Sequence, residues 1–185
     1  RVSSRPSDPE AVAEIPLAVC LEGARRGDRD AIGSIYRRFA RVVHGIVIGV
    51  CSTRDAEDVT QDVFLTVQTK IGDVADAAAL PGWICAIARN KAIDHVRRSR
   101  RRPEVALEEL PAREERDDAT LARHMLARIR ELPDAYRETL TLRLVEGLGG
   151  KQIAERTGRT DGSVRVNLHR GMAMLRELLQ KDGWP

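Results

Sequence analysis

The stretch from Gly150 to Arg170, GKQIAERTGRTDGSVRVNLHR, constrains the fold more than any other part of the chain. Ile153 and Ala154 suit the inner side of a short helix, and Ala154 is small enough for a close helix crossing. Gly158, four residues later, supplies the left-handed backbone at which such a helix breaks and reverses. Thr160 or Asp161 can cap a second helix, in which Val164 and Leu168 form an i, i+4 apolar stripe. Arg165, His169 and Arg170 fall largely off that stripe. Helix, tight turn and a second helix with a basic outer side make a helix-turn-helix pattern, whose second helix enters the major groove of DNA. Helical hairpins of other kinds share these spacings, and arginines commonly coat solvated faces. The remaining sequence has to decide what the motif is for.

Upstream of the motif, apolar residues recur at helical spacing. Leu17, Leu21 and Ala24 precede a Gly27-Asp28 turn; Ala31, Ile32, Ile35, Tyr36 and Phe39 form a stripe continued by Val42, Val43, Ile46 and Val47. Residues 55–69 predict another helix, with Val59, Val63, Phe64 and Val67 inward, and 70–80 read as a loop. Pro81 then opens a helix through Trp83, Ile84, Ile87, Ala88, Ala92, Ile93 and Val96, at the first-turn position that proline favours. No strand-like alternation appears. With aromatic residues only 3% of the 185, the core has to rest on Leu, Val, Ile and Ala.

Charge divides the chain. Residues 97–102, RRSRRR, hold five arginines in six positions, and Pro103 ends the run. Residues 104–118 then carry seven acidic side chains against two arginines, which with Pro103 and Pro111 reads as a linker. The expected organisation is all-α: a mobile lead over 1–14, a helical bundle over 15–102, an acidic linker over 103–119, and a second helical domain over 120–185. In that second domain Leu121, Met125, Leu126, Ile129, Tyr136, Leu140, Leu144 and Val145 lead to the motif, and Met172, Leu175 and Leu179 close the last helix.

Other classes find little support. Cys20, Cys51 and Cys85 show no metal-ligand spacing, and Cys51 and Cys85 sit among apolar residues as small core side chains do. His44, His95, His124 and His169 are scattered, and no nucleophile motif or phosphate loop stands out, so neither an enzyme nor a metal or cofactor is expected. No apolar run approaches the roughly 20 residues of a membrane span. Asp8, Glu10 and Glu14 argue against a secretion signal and for a cytoplasmic protein.

Taken in order, the runs resemble an extracytoplasmic-function (ECF) sigma factor of the sigma-70 family. AEDVTQDVFLTV at 56–67 resembles the family's polymerase-gripping helix, WICAIARNKAIDHVRR at 83–98 its −10 promoter helix, and residues 132–175 its −35 domain. The resemblance covers roughly residues 20–180. It implies core RNA polymerase, through its β′ and β subunits, and promoter DNA as partners, with an anti-sigma protein as a common regulator.

Particular residues carry those roles. Asp55, Asp58, Gln61 and Asp62 present a carboxylate-rich helix face that suits a basic partner; by resemblance that partner is the clamp-helix region of β′. Arg89, Asn90, Lys91, Asp94, Arg97 and Arg98 project from the next apolar stripe, with arginine and lysine suited to phosphates and Asn and Asp to base edges. Trp83 can stack on an unpaired base or brace the core. The 70–80 loop is where the family captures a flipped base, and here it lacks aromatics and arginines. For the −35 duplex the candidates are Thr160, Ser163, Arg165, Val166, Asn167, His169 and Arg170. SVRVNL stands where the family's usual run is close to TVKSRL, so Val166 and Asn167 replace a hydroxyl and a basic residue. Val166 can meet a thymine methyl instead. The alternative to a sigma factor is an autonomous helix-turn-helix regulator, which has no need of the 56–64 and 83–98 runs.

Overall fold

The computed structural model describes residues 15–100 and 118–183, and among these every regular element is helical. The first module contains α1 (Leu17–Arg25), α2 (Arg29–Ile48), α3 (Ala56–Lys70) and α4 (Leu80–Arg100). The second contains α5 (Asp118–Arg130), α6 (Asp134–Leu144), α7 (Gly150–Thr157) and α8 (Asp161–Lys181). Most of the linker expected at 103–119, and the lead at 1–14, lie outside the described residues.

Local sequence sets the helix boundaries. The Asp28 carboxylate caps α2 by accepting from the backbone N–H of Asp30 at 2.9 Å and of Ala31 at 3.4 Å. Pro133 precedes α6 and Pro81 lies in the first turn of α4, where a missing N–H costs nothing. At α7 the Gln152 side chain accepts from the Gly149 N–H at 2.9 Å and so caps the helix. Gly158 ends α7 with φ +69°, the left-handed conformation anticipated at the turn.

Several expected core positions differ. Tyr36 is exposed and stacks obliquely on half-buried Phe64, ring centroids 4.6 Å apart, outside the bundle. Ile93 is exposed on α4. Leu144 and Val145 are exposed at the end of α6, while Leu142 and Leu148 are fully buried in their place. At the end of α6 the register of burial follows the packing of that helix on α2 of the first module rather than the helix period alone. One apolar cluster runs from Phe39, Val43, Val63, Ile84 and Ala88 of the first module into Leu142, Leu148, Ile153 and Val164 of the second. Gly45 of α2 has no room for a side chain: a Cβ there would lie 2.7 Å from Leu142 Cδ2 and 2.9 Å from Glu146 Cγ. A smaller cluster of Ile129, Leu132, Leu140 and Leu175 belongs to the second module alone.

Candidate functional site

The acidic face of α3 separates into two parts. Asp58, Gln61 and Asp62 are exposed at i, i+3 and i+4 and share one side of the helix. Asp55 does not stand with them. It precedes α3, accepts from the Ser52 hydroxyl at 2.7 Å and lies 3.3 Å from His95 Nε2 of α4. Ser52, more than His95, holds its carboxyl below the usual aspartate range. Asp55 therefore fastens the start of α3 to α4.

Beside that face lies a mostly apolar groove of about 510 Å³ among α1, α2 and α3, lined by Tyr36, Gln61, Phe64 and Leu65 among others. Sequence periodicity assigned Tyr36 and Phe64 to the core and passed over Leu65. Leu65, off the inward stripe yet apolar, was the sequence's signal of an exposed apolar surface there.

On α4, Trp83, Ile87, Asn90 and Asp94 fall at i, i+4, i+7 and i+11, a single row. Asn90, Asp94, Arg97 and Arg98 are exposed, and Lys91 is half-buried. Trp83 is half-buried and packs on the core, so its bracing role is realised. Arg89 departs from the group. Its Nη1 donates to both oxygens of the Glu138 carboxylate of α6, at 2.9 and 3.2 Å. Glu138 is only 6% exposed and also accepts from Arg159, just past the Gly158 turn, at 3.2 Å.

On α8, Thr160 caps the helix by accepting from the Ser163 N–H at 3.2 Å. Arg165, Val166, His169 and Arg170 are exposed on one side, Val166 by 46%. Asn167 is not part of that surface. It is 9% exposed, because Val164, Asn167, Gly171 and Leu175, at i, i+3, i+7 and i+11, are the buried row of α8. Counting from Val164 and Leu168 placed the stripe correctly but omitted its i+3 member.

Glu138, Glu146, His44 and Arg159 escaped sequence reasoning. Their pairings span 49 and 102 positions for Arg89–Glu138 and His44–Glu146, and local pattern carries no trace of such contacts. All three cysteines are buried and free. Burial first, then the Glu138 charge, pushes the Cys85 thiol up to about 12; burial first, then Asp55, pushes Cys51 up to about 11. Both behave as the core residues the sequence suggested. Among the described residues no cluster is suited to a metal ion, and no helix is long and apolar enough to cross a membrane.

A helical bundle with an exposed acidic face on α3, joined to a helix-turn-helix, is the architecture of the sigma-70 class of proteins. Residues 35–102 match the family model for sigma-70 region 2, and residues 123–175 that for sigma-70, region 4. The chain is 33% identical over 165 residues to RNA polymerase sigma factor CarQ of Myxococcus xanthus, a match covering 86% of this chain and 95% of that protein. It is 32% identical over 172 residues to ECF RNA polymerase sigma factor BldN of Streptomyces coelicolor, covering 88% of this chain and 65% of that one. Its fold is similar to that of CnrH, solved in complex with the cytosolic domain of CnrY, with a TM-score of 0.58, 24% identity and coverage of 91% and 99% of the two chains. The chain belongs to the sigma-70 family, as an ECF sigma factor. It directs transcription initiation with RNA polymerase and is not itself an enzyme.

Proposed function

We propose that this sigma factor divides initiation among three surfaces. Asp58, Gln61 and Asp62, with the adjoining Tyr36–Phe64–Leu65 groove, receive the clamp helices of β′. The carboxylates steer a basic partner, and the groove gives that partner an apolar seat. Asn90, Asp94, Arg97 and Arg98, joined by Lys91 and Arg89, hold the melted −10 strand. Arginines bind phosphates there, and Asn90 and Asp94 meet base edges. Arg165, His169 and Arg170 enter the −35 major groove, Thr160 and Ser163 meet phosphate at the N-terminus of α8, and Val166 contacts a thymine methyl.

The observation that carries this reading is the exposure of these three groups on three different helices of one chain. A self-sufficient regulator has no use for the α3 surface. An anti-sigma protein is a further partner: the CnrH–CnrY complex is of a similar fold, and covering α3 and α4 would block polymerase and promoter together. The protein works in the cytoplasm, where both partners are. Run-off transcription with purified core polymerase on a pool of promoter fragments tests the reading. Core-dependent transcripts are expected from a subset of templates; none from any template would sink it.

A further inference from the structure

Arg159 occupies the position between Gly158, which ends α7, and Thr160, which caps α8. Its backbone N–H donates to the Ala154 carbonyl of α7 at 3.0 Å. Its guanidinium donates to the Glu138 carboxylate of α6 at 3.2 Å. One residue thus ties the end of the first helix of the motif to the start of the second, and both to the helix they pack on. Glu138 itself is 6% exposed and stands on a different helix from Arg165, Val166, His169 and Arg170, so it is not a reader of bases.

α8 has a second attachment to α6 at Gly171, where a Cβ would lie 3.2 Å from Leu140 Cγ and from Tyr136 Cβ. That seat is close but apolar. Apolar packing is non-directional, so alone it permits α8 to pivot about Gly171. The Glu138–Arg159 pair lies on the other side of the Arg165–Arg170 segment, and a charge-assisted hydrogen bond has a direction. With an anchor on each side, the segment keeps one angle on α6. Apolar residues of similar volume commonly hold two helices as firmly as a buried ion pair, so what the pair adds is geometry rather than strength. It also engages a guanidinium next to Thr160 and Ser163. A free arginine there would take any phosphate, and phosphate contacts carry no sequence information.

We propose that Glu138 is a positioning residue for −35 recognition: it holds Arg159 so that α8 keeps one angle on α6, and so that this guanidinium adds no unselective grip on the DNA backbone. The proposal rests on the −35 reading of α8. Glu138 therefore sharpens discrimination between promoters and lowers general affinity for DNA. Arg89 shares the same carboxylate, at 2.9 and 3.2 Å, but it stands on α4 and makes no bond to the turn. Its removal separates the effect of Arg159 from that of the carboxylate's other partner.

The test uses holoenzyme assembled from the full chain as wild type, Glu138→Gln, Arg159→Met, Glu138→Gln/Arg159→Met and Arg89→Ala. Circular dichroism of each free chain verifies folding. Run-off transcription on competing templates that differ only in the −35 element gives the preference, and affinity for duplex −35 fragments is followed over a range of salt concentrations. In wild type one mismatched −35 base pair should cost about 5- to 150-fold. Glu138→Gln should shrink that penalty by at least about threefold, because mismatched templates gain. Its slope of log affinity against log salt should steepen by about 0.9, as one added phosphate contact requires. Arg159→Met, added to Glu138→Gln, should cancel the steepening and leave the preference flattened. Arg159→Met alone should flatten the preference without steepening the slope. Arg89→Ala should keep the wild-type −35 ranking, whatever it does to total yield. An unchanged preference in folded Glu138→Gln overturns the inference. So does an equal fall on every template with the salt slope unaltered, which is what a merely structural carboxylate produces. A ranking altered by Arg89→Ala to the same extent traces the effect to α4 and overturns it too. A wild type indifferent to the −35 element sinks the −35 reading itself.

Discussion

His44 Nδ1 lies 2.6 Å from the Glu146 carboxylate, joining the middle of α2 to the loop after α6. That hydrogen bond is the largest influence on the imidazole and, against the opposing effect of burial, raises its pKa above 6.5; Glu57 of α3 adds to the rise. Arg41, on the same helix, also faces Glu146 at 3.7 Å. A histidine with a raised folded pKa contributes stability that is complete below its unfolded value and lost as pH climbs through the folded one. Thermal unfolding of wild type against His44→Gln should therefore show its widest gap below pH 6.5. The gap should close as pH rises through the raised value. A gap independent of pH would show that protonation of His44 has no part in the packing.

The acidic residues around α3 should respond differently to substitution. Asp58→Lys and Asp62→Lys alter exposed positions, so unfolding should shift by no more than about 0.5 kcal/mol. Association with core polymerase should slow markedly in stopped-flow measurements, most of all at low salt. Asp55→Asn should instead lower stability, because it weakens the contacts to Ser52 and His95. Its effect should be present at neutral pH and fade in acid, as Asp55 in the wild type takes up a proton through its depressed pKa. Equal losses of polymerase binding from all three would return Asp55 to the partner surface.

On the recognition helix the contrast is between Arg165 and Asn167. Arg165→Ala should leave the unfolding midpoint in place and weaken −35-dependent transcription by about 5- to 150-fold, the equivalent of a lost base contact of about 1–3 kcal/mol. Asn167→Ala, at a buried position, should act on stability and leave the ranking of promoters as it was. Competition run-off assays on templates varied within the −35 element separate the two. A changed −35 preference in Asn167→Ala would place that side chain on DNA after all.

These contrasts follow the limits of what sequence reveals. Helix period and turn chemistry located the helices, since Gly158 and Pro81 act through their own backbones and Thr160 through a cap three residues away. The exposed face of α8 was legible for the same reason: Arg165, His169 and Arg170 lie opposite Val164. Asn167 was misplaced because residue type suggested a base reader, whereas its register put it in the buried row. Arg89 and Glu138 lay beyond reach altogether. Each looks like a solvated charge on its own helix, and only the docking of α4 on α7 and of α2 on α6 makes them partners.

Gly158 joins local and long-range demands at one residue, and the two can be separated. Its φ of +69° costs an L-residue such as alanine roughly 1–2 kcal/mol. A Cβ would also press on Gly82 and approach Pro81 Cβ at 3.9 Å. Gly158→Ala should therefore lower stability in wild type through both effects. In a Gly45→Leu background, whose side chain would push Leu142 and Glu146 away from α2 and so part the two modules, only the backbone cost should persist, at roughly 1–2 kcal/mol. Gly158→Asn tolerates the left-handed backbone but carries a larger side chain, so it should be costly in wild type and much less so in Gly45→Leu. Urea unfolding of the six combinations measures this directly. Equal penalties in the two backgrounds would mean that the Gly158–Gly82 approach adds nothing to stability, leaving the turn conformation as the whole reason for glycine there.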